Sequence, residues 1–201
     1  HLLYCGSALL SRTQDLPQLL ATLEQHSELL TAFRAKEHLF VHAGVVAWEG
    51  KAIIIPGRSM SGKTTLVRAL LAAGAEYYSD EFAVLDAEGR VHPYPVPLSI
   101  RDGDNSVGCK IPLETLSIQP GTEPLPVGLV VVTQYKPYAR WRPETLTPSQ
   151  AMLALMNNTV AARREPTFTM PILKQVAMGA TSIASKRGGA KRIVPAILQH
   201  L

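Results

Sequence analysis

Two short stretches carry the residue types that phosphate chemistry needs, and the distance between them decides which chemistry. The first is "PGRSMSGKTTL", with Gly57, four residues, then Gly62, Lys63 and Thr64. Glycines let a backbone turn sharply enough to bring successive N–H groups round a phosphate, where the positive end of the following helix also points. A lysine in this position reaches β- and γ-phosphate oxygens, and the hydroxyl after it is placed to ligate Mg²⁺. The nucleotide-binding segment is therefore Gly57, Arg58, Ser59, Met60, Ser61, Gly62, Lys63, Thr64 and Thr65, with ATP and Mg²⁺ as the expected cofactors.

The second stretch is "YYSDE", containing Asp80 and Glu81. An apolar strand ending in Asp-Glu holds Mg²⁺ and polarises water in many ATPases, but Asp80 lies only seventeen residues after Lys63. That is room for one helix and an immediate return strand, whereas the common ATPase layout inserts a further strand and helix. A direct return puts both carboxylates beside the γ-phosphate, where one can hold Mg²⁺ and the other can take the proton of an attacking hydroxyl. Chemistry alone leaves open which does which. The competing reading, a solvated pair at a strand end, sits poorly between the apolar "EYY" and "FAVL". His42, inside the apolar run "LFVHAGVVAW", is the third candidate; a hydrogen-bonded core histidine is the alternative for it.

The elements that must position these groups follow from periodicity. "LFVHAGVVAW" and "KAIIIPG" are β-branched runs separated by Glu49-Gly50, a tight-hairpin connection, and the second run feeds the phosphate loop. Thr64 to Ala73 reads as the departing helix, closed by Gly74, since glycine tolerates positive φ. A strand entering and a helix leaving is the context the loop motif demands. "AEYYSDEFAVLD" reads as one or two short strands broken at the polar Ser79-Asp80-Glu81 step.

Upstream, Leu16, Leu19, Leu20, Leu23, Leu29, Leu30 and Phe33 recur at helical spacing and predict a packing helix. Downstream, Val91 to Pro126 is proline- and glycine-rich loop with brief extended pieces, and Gly128 to Tyr135 is a buried central strand. Thr147-Pro148-Ser149-Gln150 has the side chains of a capping box and opens a helix to about Asn158. "MPILKQVAMGA" and "AKRIVPAILQHL" predict two more helices around a "TSIAS" strand. The alternation gives an α/β fold. One kinase-like domain is expected over 1–201, with a helical/strand lead-in over 1–38, a nucleotide-binding core over 39–101, a loop-rich segment over 102–127 and a central strand plus C-terminal helices over 128–201.

Composition bounds the remaining classes. At 46% hydrophobic and 18% charged, the chain reads as a globular protein, and no run approaches the eighteen apolar residues of a membrane span. No membrane contact and a cytoplasmic location are expected. Cys5 and Cys109 are too few and too far apart for a disulfide framework or a metal knuckle. The net charge of +4 is concentrated in the last third, in Lys136, Arg140, Arg142, Arg163, Arg164, Lys174, Lys186, Arg187, Lys191 and Arg192. A solvated basic face, nucleotide phosphates or an acidic partner would each account for it. No zinc-finger, zipper or aromatic RNA-binding signature accompanies the charge, so nucleic acid is not favoured.

The order "VHAGVV", "GKAIIIPGRSMSGKTTLVRALLAAGAEYYSDEFAVLD" and "PYPVPLSIR", over about Leu39 to Arg101, resembles the catalytic domain of HPr kinase/phosphorylase and the stand-alone HPr-kinase-related proteins. The resemblance implies a mixed-sheet P-loop core shared with ATP-dependent phosphoenolpyruvate carboxykinase, with flanking helices. It implies His42 as a catalytic assistant, Lys63 on phosphate, Thr64 and Asp80 on the metal, and Glu81 as proton acceptor. Two departures stand beside it: Asp-Glu where the family typically has Asp-Asp, and no Glu-x-Arg-Gly-type stretch. HPr as acceptor and reverse phosphorolysis are accordingly not expected.

The leading expectation is an ATP-dependent kinase acting on a serine-type hydroxyl of a peptide or small protein. A precursor peptide of a tailoring pathway, such as a lasso-peptide system, is compatible with it. Arg101, Arg140 and Arg142 are candidate acceptor or phosphate contacts, and homo-oligomerisation is compatible with the sequence. The alternative is a non-catalytic ATP-binding regulatory partner.

Overall fold

The computed structural model describes the chain except residues 58–60, 101–108, 161 and 163 and the side chains of Ile100 and Cys109. The expected ligands Arg58, Ser59, Met60 and Arg101 therefore lie outside the described residues. Internal contacts divide the chain into two units, His1–Lys36 and Glu37–Leu201.

The first unit is an antiparallel hairpin, β1 (Leu2–Cys5) with β2 (Ala8–Arg12), followed by helix α1 (Leu16–Arg34). The leucine spacing predicts helix α1 but not its packing: Leu16, Leu20, Leu23, Leu29 and Phe33 are exposed and Ala32 is the buried residue of the helix, so the expected packing face is not covered in this chain. The strand part of the lead-in is a hairpin, whose four- and five-residue strands offer too short a pattern to place from sequence.

In the second unit the strands are β3 (Leu39–Trp48), β4 (Lys51–Pro56), β5 (Glu76–Ser79), β6 (Phe82–Leu85), β7 (Arg90–His92), β8 (Leu98–Ile100), β9 (Cys109–Ile111), β10 (Leu125–Tyr135), β11 (Glu144–Thr145) and β12 (Thr181–Arg187). The helices are α2 (Lys63–Leu71), α3 (Pro148–Met156), α4 (Pro166–Gly179) and α5 (Ala190–Leu198). The main sheet runs β11-β12-β10-β4-β3-β6-β7, with β5 also paired to β3, while β8 and β9 pair separately. It is mixed: β10 is parallel to β4 and to β12, whereas β3 is antiparallel to β4, β5 and β6.

Alternation along the strands divides the core into two layers. Ile53 and Ile55 of β4, with Leu129 and Val131 of β10 and Ile183 of β12, face Leu66, Val67 and Leu70 of α2 and Ile193, Val194 and Ile197 of α5. Ala52, Ile54 and Val130 point the other way, onto Leu155 of α3 and Ile172, Leu173 and Val176 of α4. A sheet with apolar residues on both faces must be covered on both, and these helix pairs do so.

Local signals read from sequence correspond to real devices. Glu49 and Gly50 both have positive φ, as the two-residue turn between β3 and β4 requires. Thr147 Oγ1 accepts from the Gln150 backbone and the Gln150 side chain accepts from the Thr147 backbone, completing the capping box of α3. Helix α2 stops at Leu71, earlier than expected, and Gly74 (φ +100°) closes the turn beyond it. Helix α4 begins at Pro166, before the predicted Met170, because proline is compatible with the first helical position.

Candidate active site

The site forms where β4 ends. Gly57 N–H donates to the His42 carbonyl at 3.2 Å, tying the loop's first glycine to β3. Gly62 (φ +89°) then enters α2, a backbone conformation that side-chain-bearing residues rarely adopt. Lys63, buried at the start of the helix, reaches back so that Nζ donates to the Gly57 carbonyl at 2.8 Å. This hydrogen bond ties the helix's first lysine to the first glycine of the loop. Burial lowers the Lys63 pKa, and the charges of Glu81 and Asp80 oppose that shift.

The acidic pair is set by a break in pairing along one edge of β3. Val45 pairs with Ser79 and His42 with Phe82, leaving Asp80 and Glu81 between β5 and β6. Ser79 Oγ accepts from the backbone N–H of both Glu81 (3.2 Å) and Phe82 (3.1 Å), fixing that step. Glycine at position 44 lets α2 approach: a Cβ there would lie 2.6 Å from Val67 Cγ2 and 3.7 Å from Asp80 Oδ1.

Within this frame the two carboxylates diverge. Asp80 is buried and accepts from Thr64 Oγ1 at 2.7 Å through Oδ2. Its pKa is pushed up to about 7, first by desolvation and also by the charge of Glu81, against the Thr64 hydrogen bond and Lys63. Glu81 is more open and lies 3.2 Å from His42 Nε2 through Oε1. Burial pushes Glu81 up, but the hydrogen bond and charge of His42, with Lys63 and Lys110, outweigh it and hold the pKa below the usual value. A pair of neighbouring carboxylates driven in opposite directions is suited to two roles.

The residues fit a magnesium ion. Asp80 Oδ1 and Ser61 Oγ are buried without a hydrogen-bond partner among the described residues, and a buried acceptor left open in that way calls for a ligand. Thr64 Oγ1 and Asp80 are the protein groups that would hold Mg²⁺, which typically takes one or two carboxylate-type ligands and completes its shell with phosphates and water. The described residues contain no cluster of three or more His, Cys, Asp or Glu suited to a fully protein-enclosed metal.

Because the folded pKa of Asp80 exceeds its unfolded value, the folded state binds more protons between the two, and stability falls as pH rises from about 4 through about 7. The slope contributed by this group approaches 1.4 kcal/mol per pH unit within that window. Metal-free protein followed by urea unfolding at several pH values should show this decline, and Asp80→Asn should flatten it.

Of the sequence-predicted groups, His42, Lys63, Thr64, Asp80 and Glu81 converge here. Thr65 is exposed on α2, and Arg140 and Arg142 are exposed beyond the end of β10. Arg187, one of the basic residues of the last third, for which a solvated face, nucleotide phosphates and an acidic partner were all open, is buried, with Nη2 donating to the Gly62 carbonyl at 2.6 Å and Nη1 to the Gly188 carbonyl at 3.1 Å. Its guanidinium lies 5.7 Å from the Tyr135 ring centre. No carboxylate among the described residues pairs with it, and desolvation lowers its pKa. By donating to the carbonyl of Gly62 it braces the peptide that joins Gly62 to Lys63 at the start of α2. A lone arginine in a charge-rich tract gives no sequence signal of burial; its burial follows from the position of Arg187 at the end of β12, beside Gly62.

Arg187→Met should lower ATP affinity about tenfold while changing the stability of the ligand-free protein by no more than about 1 kcal/mol, since an unpaired buried charge is replaced by an apolar chain of similar length. Calorimetric titration and denaturant unfolding of the same variant separate the two effects.

A scan against protein-family models finds no match, and a search of the curated proteins returns none. Among solved structures, the chain is similar to the Hpr(Ser) kinase/phosphatase from Coxiella burnetii, at 13% identity and a TM-score of 0.44, over 82% of this chain and 95% of that one.

Proposed function

We propose that the protein is an ATP-dependent phosphotransferase that moves the γ-phosphate to a hydroxyl, a serine of a peptide or small protein. The observation that carries this reading is the opposite tuning of Asp80 and Glu81 beside Lys63 and Thr64. Lys63 and the loop N–H groups hold the phosphates; Thr64 and Asp80 would hold Mg²⁺, which would supply neutralisation of the phosphate charge. The acceptor oxygen attacks the γ-phosphorus, the bond from γ-phosphorus to the β–γ bridging oxygen breaks, and ADP leaves. The acceptor's proton passes to Glu81, with His42 orienting the carboxylate through the 3.2 Å contact. Arg140 and Arg142 are exposed cations a few residues beyond the end of β10, available to phosphate or to an acidic acceptor.

The test is incubation with γ-labelled ATP, Mg²⁺ and a set of serine peptides, including short precursor peptides. Label on a serine supports the reading. Tight ATP binding with no label on any acceptor and no ADP formed would instead favour a nucleotide-regulated binding protein.

A further inference from the structure

Strands β4, β10 and β12 run parallel, so their carboxyl ends share one edge of the sheet, where ligands of open α/β sheets bind. The phosphate loop follows β4. On one flank stand β3, β5 and β6 with His42, Asp80 and Glu81; on the other stand the ends of β10 and β12. In the proposed function the γ-phosphate faces the carboxylates, so the nucleoside would extend away from them, and the free flank of the loop is that of β10 and β12.

The segment on that flank is fastened to the loop. Tyr135 N–H donates to the Ser61 carbonyl at 3.3 Å, Lys136 N–H to the Arg187 carbonyl at 2.9 Å, and Arg142 N–H to Ser185 Oγ at 3.0 Å. Between these anchors the Ala139 N–H donates to the Lys136 carbonyl at 3.1 Å, closing the turn Lys136-Pro137-Tyr138-Ala139. Proline second and positive φ third is the pattern of a type II turn, whose third place glycine fills without strain. Here Tyr138 fills it, at φ +61°, with its side chain wholly exposed. The ring makes no core contact that would offset the strained backbone, so its packing in the folded chain does not explain it.

We propose that Tyr138 is the nucleobase platform of the site, its ring stacking on the base of the bound triphosphate while Lys136 stands beside it. The inference rests on the reading that the loop after β4 holds a nucleoside triphosphate. Base-on-aromatic stacking tolerates different bases, because every base presents a π face.

The experiment compares ATP with inorganic tripolyphosphate, both with Mg²⁺, by calorimetric titration of the full chain. Wild type should prefer ATP. Tyr138→Gly should weaken ATP roughly five- to hundredfold, the range expected for one lost stack. Tripolyphosphate affinity should be unchanged, Tyr138→Phe should behave as wild type, and the glycine variant should unfold at no lower temperature because glycine suits the turn. Equal weakening of both ligands, or of neither, overturns the platform. So does a variant whose ATP affinity is intact while only the acceptor KM rises, which would give Tyr138 to the acceptor. Failure of wild type to bind either ligand overturns the phosphate-loop reading itself, and the platform with it.

Discussion

Glu81→Gln is expected to lower phosphoryl transfer by roughly 10²–10⁴-fold while leaving the affinity for ATP and Mg²⁺ within about threefold of wild type. The amide keeps the length and planar shape of the side chain and can still meet His42 Nε2. What it lacks is a carboxylate able to take the acceptor's proton. In the proposed function Thr64 and Asp80, joined by their hydrogen bond, would hold Mg²⁺ and Glu81 would not, so binding should survive. Initial rates with γ-labelled ATP, beside titration of the same variant, measure both quantities. Undiminished transfer would show that Glu81 is not the base and would return that role to Asp80.

Lys63→Ala has the second large effect, and it falls on binding. The Lys63 ammonium is buried at the mouth of the loop, where its desolvation is offset by Asp80 and Glu81 and would be offset more fully by phosphate. Removing one member of a buried, hydrogen-bonded charge pair costs about 2–5 kcal/mol, or roughly thirtyfold to several thousandfold in affinity. Loss of the Nζ bond to the Gly57 carbonyl also loosens the loop, so part of the effect is preorganisation. Lys63→Met separates the contributions: the apolar stem is kept and only the charge and its hydrogen bonds go. Binding of ATP by Lys63→Met at wild-type strength would show that the phosphates lie elsewhere. The alanine variant's unfolding curve, compared with that of wild type, guards against reading a collapsed loop as a lost contact.

These two outcomes concern residues that sequence spacing had already picked out, because their positions follow from local rules. β-branched strand and short helix are each specified within a dozen residues, so β3, β4 and the start of α2 could be read directly. Seventeen residues from Lys63 to Asp80 leave little choice of path, which made the return strand and the nearness of Thr64 to Asp80 predictable. The capping box of α3 and the turn at Glu49-Gly50 belong to the same class.

What only the tertiary structure decided are pairings between distant segments. Sequence could place His42 on a strand, but its meeting with Glu81 depends on β6 pairing with β3, across the break that Ser79 caps. The opposite tuning of Asp80 and Glu81 depends on unequal burial and on His42 reaching one of them alone. Arg187 lies 125 residues from Gly62 and becomes its brace because β12 runs parallel to β10 and ends beside the loop. Local propensity acts over a few residues and is written in the order of the chain. Charge, desolvation and hydrogen bonding act across space, and the fold alone decides which groups they join.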